Sequence, residues 1–178
     1  MQIFDWLRRR SIRSGLHRNK ANVQNRKPVP YEKTSTIGLL YAFSDQGELN
    51  TLISFKKRLL KEKKKVQMFV YYHDKECPSS PHYKSFCKKH LNFFSLPKDR
   101  DVFALINTPF DMLISFNTTF SLPISFISAA SAANFRIGIE KEDTYSLDSF
   151  DLTFHEQNPT VQTIISSFDK YILKINTD

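Results

Sequence analysis

The stretch Thr36-Ile-Gly-Leu-Leu-Tyr-Ala-Phe43 carries no charge and no alternation of polar and apolar residues. A strand with one wet face alternates at a period of two, whereas a strand covered on both faces does not. The run therefore belongs between two layers of other structure. Val66-Gln-Met-Phe-Val-Tyr-Tyr72 and Asp111-Met-Leu-Ile-Ser-Phe116 read the same way. After a turn at Ser44-Asp-Gln-Gly47, the segment from Glu48 to Lys64 places Leu49, Leu52, Ile53, Leu59 and Leu60 on one helical face. Buried strands alternating with amphipathic helices predict an α/β sheet, mostly parallel, with right-handed crossovers.

The rest of the chain continues the alternation. A helix is expected at Tyr83–His90 and a short extended piece at Asn92–Ser95. Leu122–Ala133 reads as a helix rich in small residues that can lie close against a sheet. Phe135–Ile139 and Phe150–Phe154 read as short strands. Val161, Ile164, Ile165, Phe168, Ile172 and Ile175 repeat at helical spacing after the start signal Asn158-Pro-Thr. With 178 residues, one domain plus a tail is the natural division. The expectation is a Rossmann-like three-layer α/β domain over 34–178, preceded by a basic, partly helical arm over 1–33. Pro28 and Pro30 close that arm, and deletion of 1–30 is expected to leave a cooperatively folded body.

Charge is distributed unevenly. Residues 1–30 hold eight basic side chains (Arg8, Arg9, Arg10, Arg13, Arg18, Lys20, Arg26, Lys27) against the single acid Asp5. The remainder holds 18 basic and 17 acidic residues, so nearly all of the net +8 sits in the arm. A cationic arm on a neutral body points to a polyanion, either nucleic acid or an anionic membrane. Arg outnumbers Lys in the arm, and the guanidinium fork binds phosphate bidentately. Trp6 offers a stacking face. Ile3, Phe4 and Leu7 share a helical face with Trp6 at its edge, enough for a short membrane anchor but not for a long interfacial helix. A second basic run, Lys56-Lys57-Arg58, extends the electrostatic footprint, and 140–156 balances it with six acids against one Lys.

Chemistry is harder to find. With only Gly15, Gly38, Gly47 and Gly138, neither the dinucleotide fingerprint nor a P-loop can be written. The loop from Phe43 to Glu48 still leads into a helix N-terminus, which can hold an anion. No Gly-x-Ser-x-Gly sequence brackets a nucleophile. Cys77, His82, Cys87 and His90, with His73 nearby, are residue types that zinc takes, but their spacing lacks compact paired knuckles, and two cysteines make no disulfide framework. No metal and no cofactor are expected. A reducing cytoplasm suits this cysteine usage. The N-terminus lacks the layout of a secretory signal, and no window matches a membrane span.

The Arg/Lys-rich start, Thr36-Ile-Gly-Leu-Leu-Tyr41, and the series Phe110-Asp-Met-Leu-Ile-Ser115, Leu122-Pro, Ser128-Ala-Ala and Asn134-Phe-Arg-Ile-Gly138 together resemble an uncharacterised family of small basic proteins from Bacteroidota. The resemblance implies no activity. More remotely, 110–139 is similar to the N-terminal half of heptosyltransferase-like glycosyltransferases, which implies a Rossmann-like fold and carries over no catalytic residue. The expectation is a non-enzymatic RNA-binding protein, ribosome-associated or acting in RNA metabolism, with RNA or a ribosomal particle as partner. The alternatives are a membrane-peripheral adaptor and a degenerate glycosyltransferase-like domain completed by a partner chain.

Overall fold

The computed structural model describes residues 2–19, 26, 28–139, 145, 147 and 149–173. Strands β1 (Thr36–Ala42), β2 (Lys65–Tyr72), β3 (Lys84–Cys87), β4 (Met112–Ser115), β5 (Arg136–Ile139) and β6 (Leu152–Phe154) form one sheet in the order β3-β2-β1-β4-β5-β6. Every neighbouring pair is parallel. This is the Rossmann strand order. Ile37, Leu39 and Tyr41 of β1 point to one face, which α2 (Gln46–Lys61) and α5 (Val161–Tyr171) cover with Leu52, Phe55 and Phe168. Leu40 and Ala42 point to the other, covered by α3 (Arg100–Ile106) and α4 (Leu122–Ala130) with Ile106, Phe126 and Ile127. Both faces of the central strands are thus buried, as their unbroken apolar runs require.

Polar groups fix where the elements begin. Asp45 caps α2 by accepting the Glu48 N–H at 2.9 Å, and Thr160 caps α5 through the Thr163 N–H at 3.1 Å. One Asp111 oxygen accepts the Ser35 and Thr36 N–H groups at 2.8 and 2.9 Å and the Thr36 hydroxyl at 3.0 Å, tying the start of β1 to the start of β4. Burial alone would raise this carboxyl. The hydrogen bonds from Ser35, Thr36 and Asn134 outweigh it and hold the group below its ordinary value. Arg136, only 2% exposed, is held by Asp151 through Nη2 at 2.7 Å and Nε at 3.0 Å, joining β5 to the edge of β6.

Two local expectations fail, and one element was not foreseen. Tyr83–His90 is not a helix: Lys84–Cys87 pairs with β2, Tyr71 opposite Phe86, and a 3₁₀ turn follows at Lys88–His90. A four-residue strand is too short to display its period. Asn92–Ser95 is a turn, in which the Asn92 side chain accepts the Phe94 and Leu96 N–H groups at 2.9 and 3.1 Å. Helix α3, which the sequence did not suggest, starts on an Asp99 cap and runs for only seven residues.

The largest departure concerns the N-terminus. Helix α1 (Gln2–Arg18) lies on α4 as an outer layer rather than hanging free of the body. Ile12 is 3% exposed, within the core shared with Phe126 and Ile127. Gly15 abuts the Phe126 ring so closely that a Cβ there would lie 2.7 Å from it. The reason lies in α4, where Leu122–Ile124 and Phe126–Ala130 are all buried, leaving no polar stripe to face water. A charge-free helix with so few polar side chains must be covered on its outer side too, and α1 covers it.

Two outcomes follow from this packing. Ile12→Ala should lower stability by about 2–5 kcal/mol in urea unfolding, whereas Arg13→Ala on the outer face should change it by less than about 0.5 kcal/mol. Because the Asp111 pKa is depressed in the fold, its contribution is present above its ordinary value of 3.8 and is lost as pH falls through the folded value. Asp111→Asn should therefore be less stable than wild type at neutral pH, and the difference should shrink as unfolding is followed into acid.

Candidate nucleic-acid interface

Docking divides the residues of α1 between two faces. Phe4, Arg8, Ile12, Gly15 and Leu16 turn toward the body. Phe4 packs edge-on against Phe93 with ring centroids 5.1 Å apart, and also meets Phe94. Arg8 lies over the Phe4 ring and donates to the Tyr145 hydroxyl at 3.0 Å. Trp6, Arg10, Arg13 and His17 recur at helical spacing on the outer side, and all are exposed. The Arg10 guanidinium sits 5.5 Å over the Trp6 ring, which is 56% exposed. Arg9 pairs with Asp5 at 3.1 Å and stacks on Tyr145. Trp6, Arg9, Arg10 and Arg13 line a shallow open groove, and Arg18 is exposed at the end of the helix. A flat aromatic face beside fixed guanidinium groups can stack a base and contact phosphate together.

The other basic residues go elsewhere. Arg26 is drawn onto the body, where it donates to the Ser131 carbonyl at 2.9 Å and reaches Asp151 at 3.4 Å. Lys20 and Lys27 lie outside the described residues. Lys56, Lys57 and Arg58 are on α2, across the sheet from α1, so the two basic runs do not merge into one surface. Lys56 donates to the His82 carbonyl, and Lys57 is exposed. Arg58 forms a two-pronged pair with Asp169 at 2.8 and 2.5 Å, which joins α2 to α5 and raises the Arg58 pKa. Ligand binding at that site would have to break this pair.

The Rossmann order places a crevice beyond the carboxyl ends of β1 and β4, where successive connections leave to opposite faces. Here the chain's own acids fill it. Asp45 occupies the N-terminus of α2, and Glu48 accepts the Val161 N–H of α5 at 3.2 Å. The second Glu48 oxygen accepts from the Ser44 hydroxyl at 2.7 Å, and Ser44 shares a 2.6 Å hydrogen bond with Tyr41. Asn117 accepts the Ala42 N–H at 2.7 Å, closing β1 against β4. The two helix termini that would attract a phosphate are thus already met by carboxylates.

Sequence reading missed Tyr145, which anchors two arginines, and Phe93, which extends the aromatic surface around Phe4. It weighed Cys77, His82, Cys87 and His90 together as metal ligands and set them aside for their spacing. In the fold the ligating atoms of Cys77, Cys87 and His90 lie within 4.8 Å of one another, while His82 is not among them. Burial and the neighbouring Cys77 push the Cys87 thiol up to about 11, so as a free thiol it is a poor nucleophile. Among the described residues no helix is long and apolar enough to cross a membrane.

No curated protein matches the chain. A family model described as a family of unknown function, DUF6913, matches residues 7–175, from the second turn of α1 to beyond the end of α5. The chain therefore belongs to the DUF6913 family.

Proposed function

We propose that the protein is a non-enzymatic RNA-binding protein, cytoplasmic and ribosome-associated or acting in RNA metabolism, whose docked helix α1 is the contact surface. The observation that carries this reading is the outer face of α1. Trp6, Arg10 and Arg13 stand together on a helix that Ile12 and Gly15 fix to the core. A helix held in place loses less conformational freedom on binding than a free tail would. Phosphate contact falls to Arg10, Arg13 and Arg18, with Arg9 beside them. Arg8, Arg26 and Arg58 serve the fold. The carboxylates at the N-termini of α2 and α5 count against a sugar-nucleotide site, and so against the degenerate glycosyltransferase reading.

The membrane-peripheral reading has its own support. Ile3 is 77% and Phe93 79% exposed near one end of the same helix, a pairing suited to an interfacial anchor above cationic residues. RNA is preferred because the exposed side chains Trp6, Arg10, Arg13 and Arg18 outnumber the exposed aliphatic ones of α1, Ile3 and Leu7.

Side-by-side titration of RNA and anionic vesicles at several salt concentrations tests this. On single strands log K should fall by about 0.7 per neutralised phosphate per decade of salt. Replacing Arg10, Arg13 and Arg18 together by Gln should make the slope shallower by about two units. Trp6→Ala should cost about 1–3 kcal/mol without altering the slope. Absence of RNA binding at low salt sinks the proposal. Vesicle binding that is lost in Ile3→Ala and Phe93→Ala and unaffected by RNA favours the membrane reading.

A further inference from the structure

The connection from β2 to β3 is unusual. Parallel strands are ordinarily joined by a helical crossover of a dozen or more residues. Here residues 73–83 make the link without a helix or strand. Their backbone is held by side contacts: Lys88 N–H to the Asp74 carbonyl at 3.1 Å, the Cys87 thiol to the Lys75 carbonyl at 3.2 Å, and the Ser85 hydroxyl to the Pro78 carbonyl. Cys77 sits in the middle of this loop, half-buried, with its sulfur 2.7 Å from that of Cys87 at the end of β3. His90 completes the group. Its Nδ1 lies 3.9 Å from the Cys77 sulfur and 3.8 Å from the Cys87 sulfur.

We propose that Cys77, Cys87 and His90 bind a zinc ion that staples the β2–β3 connection to the edge of the sheet. Three features support it. The 3₁₀ turn over Lys88–His90 has three residues per turn, so side chains 87 and 90 fall on the same side, giving Cys-x2-His the short reach a chelate needs. Nδ1 of His90 accepts the Cys87 N–H at 3.1 Å, which makes it the unprotonated nitrogen; zinc takes the same lone pair, so this hydrogen bond gives way when the metal binds. The donor set is two sulfurs and one imidazole, the soft and borderline ligands that select zinc over calcium or magnesium. Around a tetrahedral zinc, bonds of about 2.3 Å to sulfur and about 2.0 Å to nitrogen set N···S separations near 3.6 Å and an S···S separation near 3.8 Å. The two N···S distances are close to these values. The sulfurs must part by about 1 Å, which Cys77 on its loop can supply. On binding, the two thiols release two protons to solvent and their thiolates neutralise the ion. Water takes the fourth position.

Two neighbouring thiols could instead form a disulfide, a product that has no use for His90. Full-length protein stripped by a chelator and kept in a phosphine reductant should take up one equivalent of zinc in competition with a chromophoric chelator. Cobalt(II) should give thiolate charge-transfer bands and ligand-field bands of tetrahedral intensity. Zinc should also raise the melting temperature in a concentration-dependent way. Loss of an outer-shell partner of a metal ligand costs roughly 10–100-fold, so Cys77→Ser and His90→Gln should each weaken zinc by more than about a hundredfold. His82→Gln should leave the affinity unchanged. Cys77 and His90 are only half-buried, so these variants should fold even if Cys87→Ser does not. The proposal is overturned if reduced protein takes up no zinc, if Cys77→Ser and His90→Gln bind as wild type, or if the thiols remain joined as a disulfide in the reductant.

Discussion

The organising constraint is that α4 has no polar face. Its inner side must cover β1 and β4, where Gly38 lets Leu113 and Phe110 approach the backbone closely. Its outer side would be left in water were it not for α1. Each fully buried Leu, Ile or Phe side chain is worth about 1.5–3 kcal/mol of transfer energy, so covering Phe126 and Ile127 contributes to seating α1, whose own composition is mostly polar. The same packing decides which arginines face solvent. Arg8 faces Tyr145 and Arg10 faces out because Ile12 and Gly15 must face Phe126.

Most of the sheet was legible in the chain. Unbroken apolar runs announced β1, β2 and β4, and helical spacing announced α2 and α5, because each signal extends over enough residues to show its period. What could not be read was short or tertiary. Strand β3 is recognisable only by its register against β2. Helix α3 makes about two turns. The seating of α1 was present in the sequence as the largely apolar, charge-free composition of Leu122–Ala130, but that signal concerns what must cover α4 and does not name the segment that does so.

The candidate sites show the same division. Composition marked the cationic residues as a class, yet the fold gives them three different tasks. Arg26, Arg58 and Arg136 pair with carboxylates inside the structure. Arg8 and Arg9 stack on aromatic rings. Arg10 and Arg13 remain on the outer surface. Ion pairs such as Arg58 with Asp169 and Arg26 with Asp151 join residues more than a hundred positions apart, so no local pattern could reveal them. Cys77 and Cys87 were discounted for lacking a knuckle spacing. A 3₁₀ turn and a helix-free crossover bring them together instead.

The position of α1 also bears on the order in which the molecule assembles. This helix precedes its partners in the chain by a long way: the Arg8–Tyr145 contact closes a loop of 137 residues. During translation the inner face of α1 has nothing to pack on until α4 has emerged. Contacts of such long sequence separation raise the contact order and slow the last stage of folding. Until α4 is made, a nascent chain therefore carries these cationic residues with nothing to cover the inner face of the segment. Only the finished domain separates its two faces, one taken into the core and one left exposed.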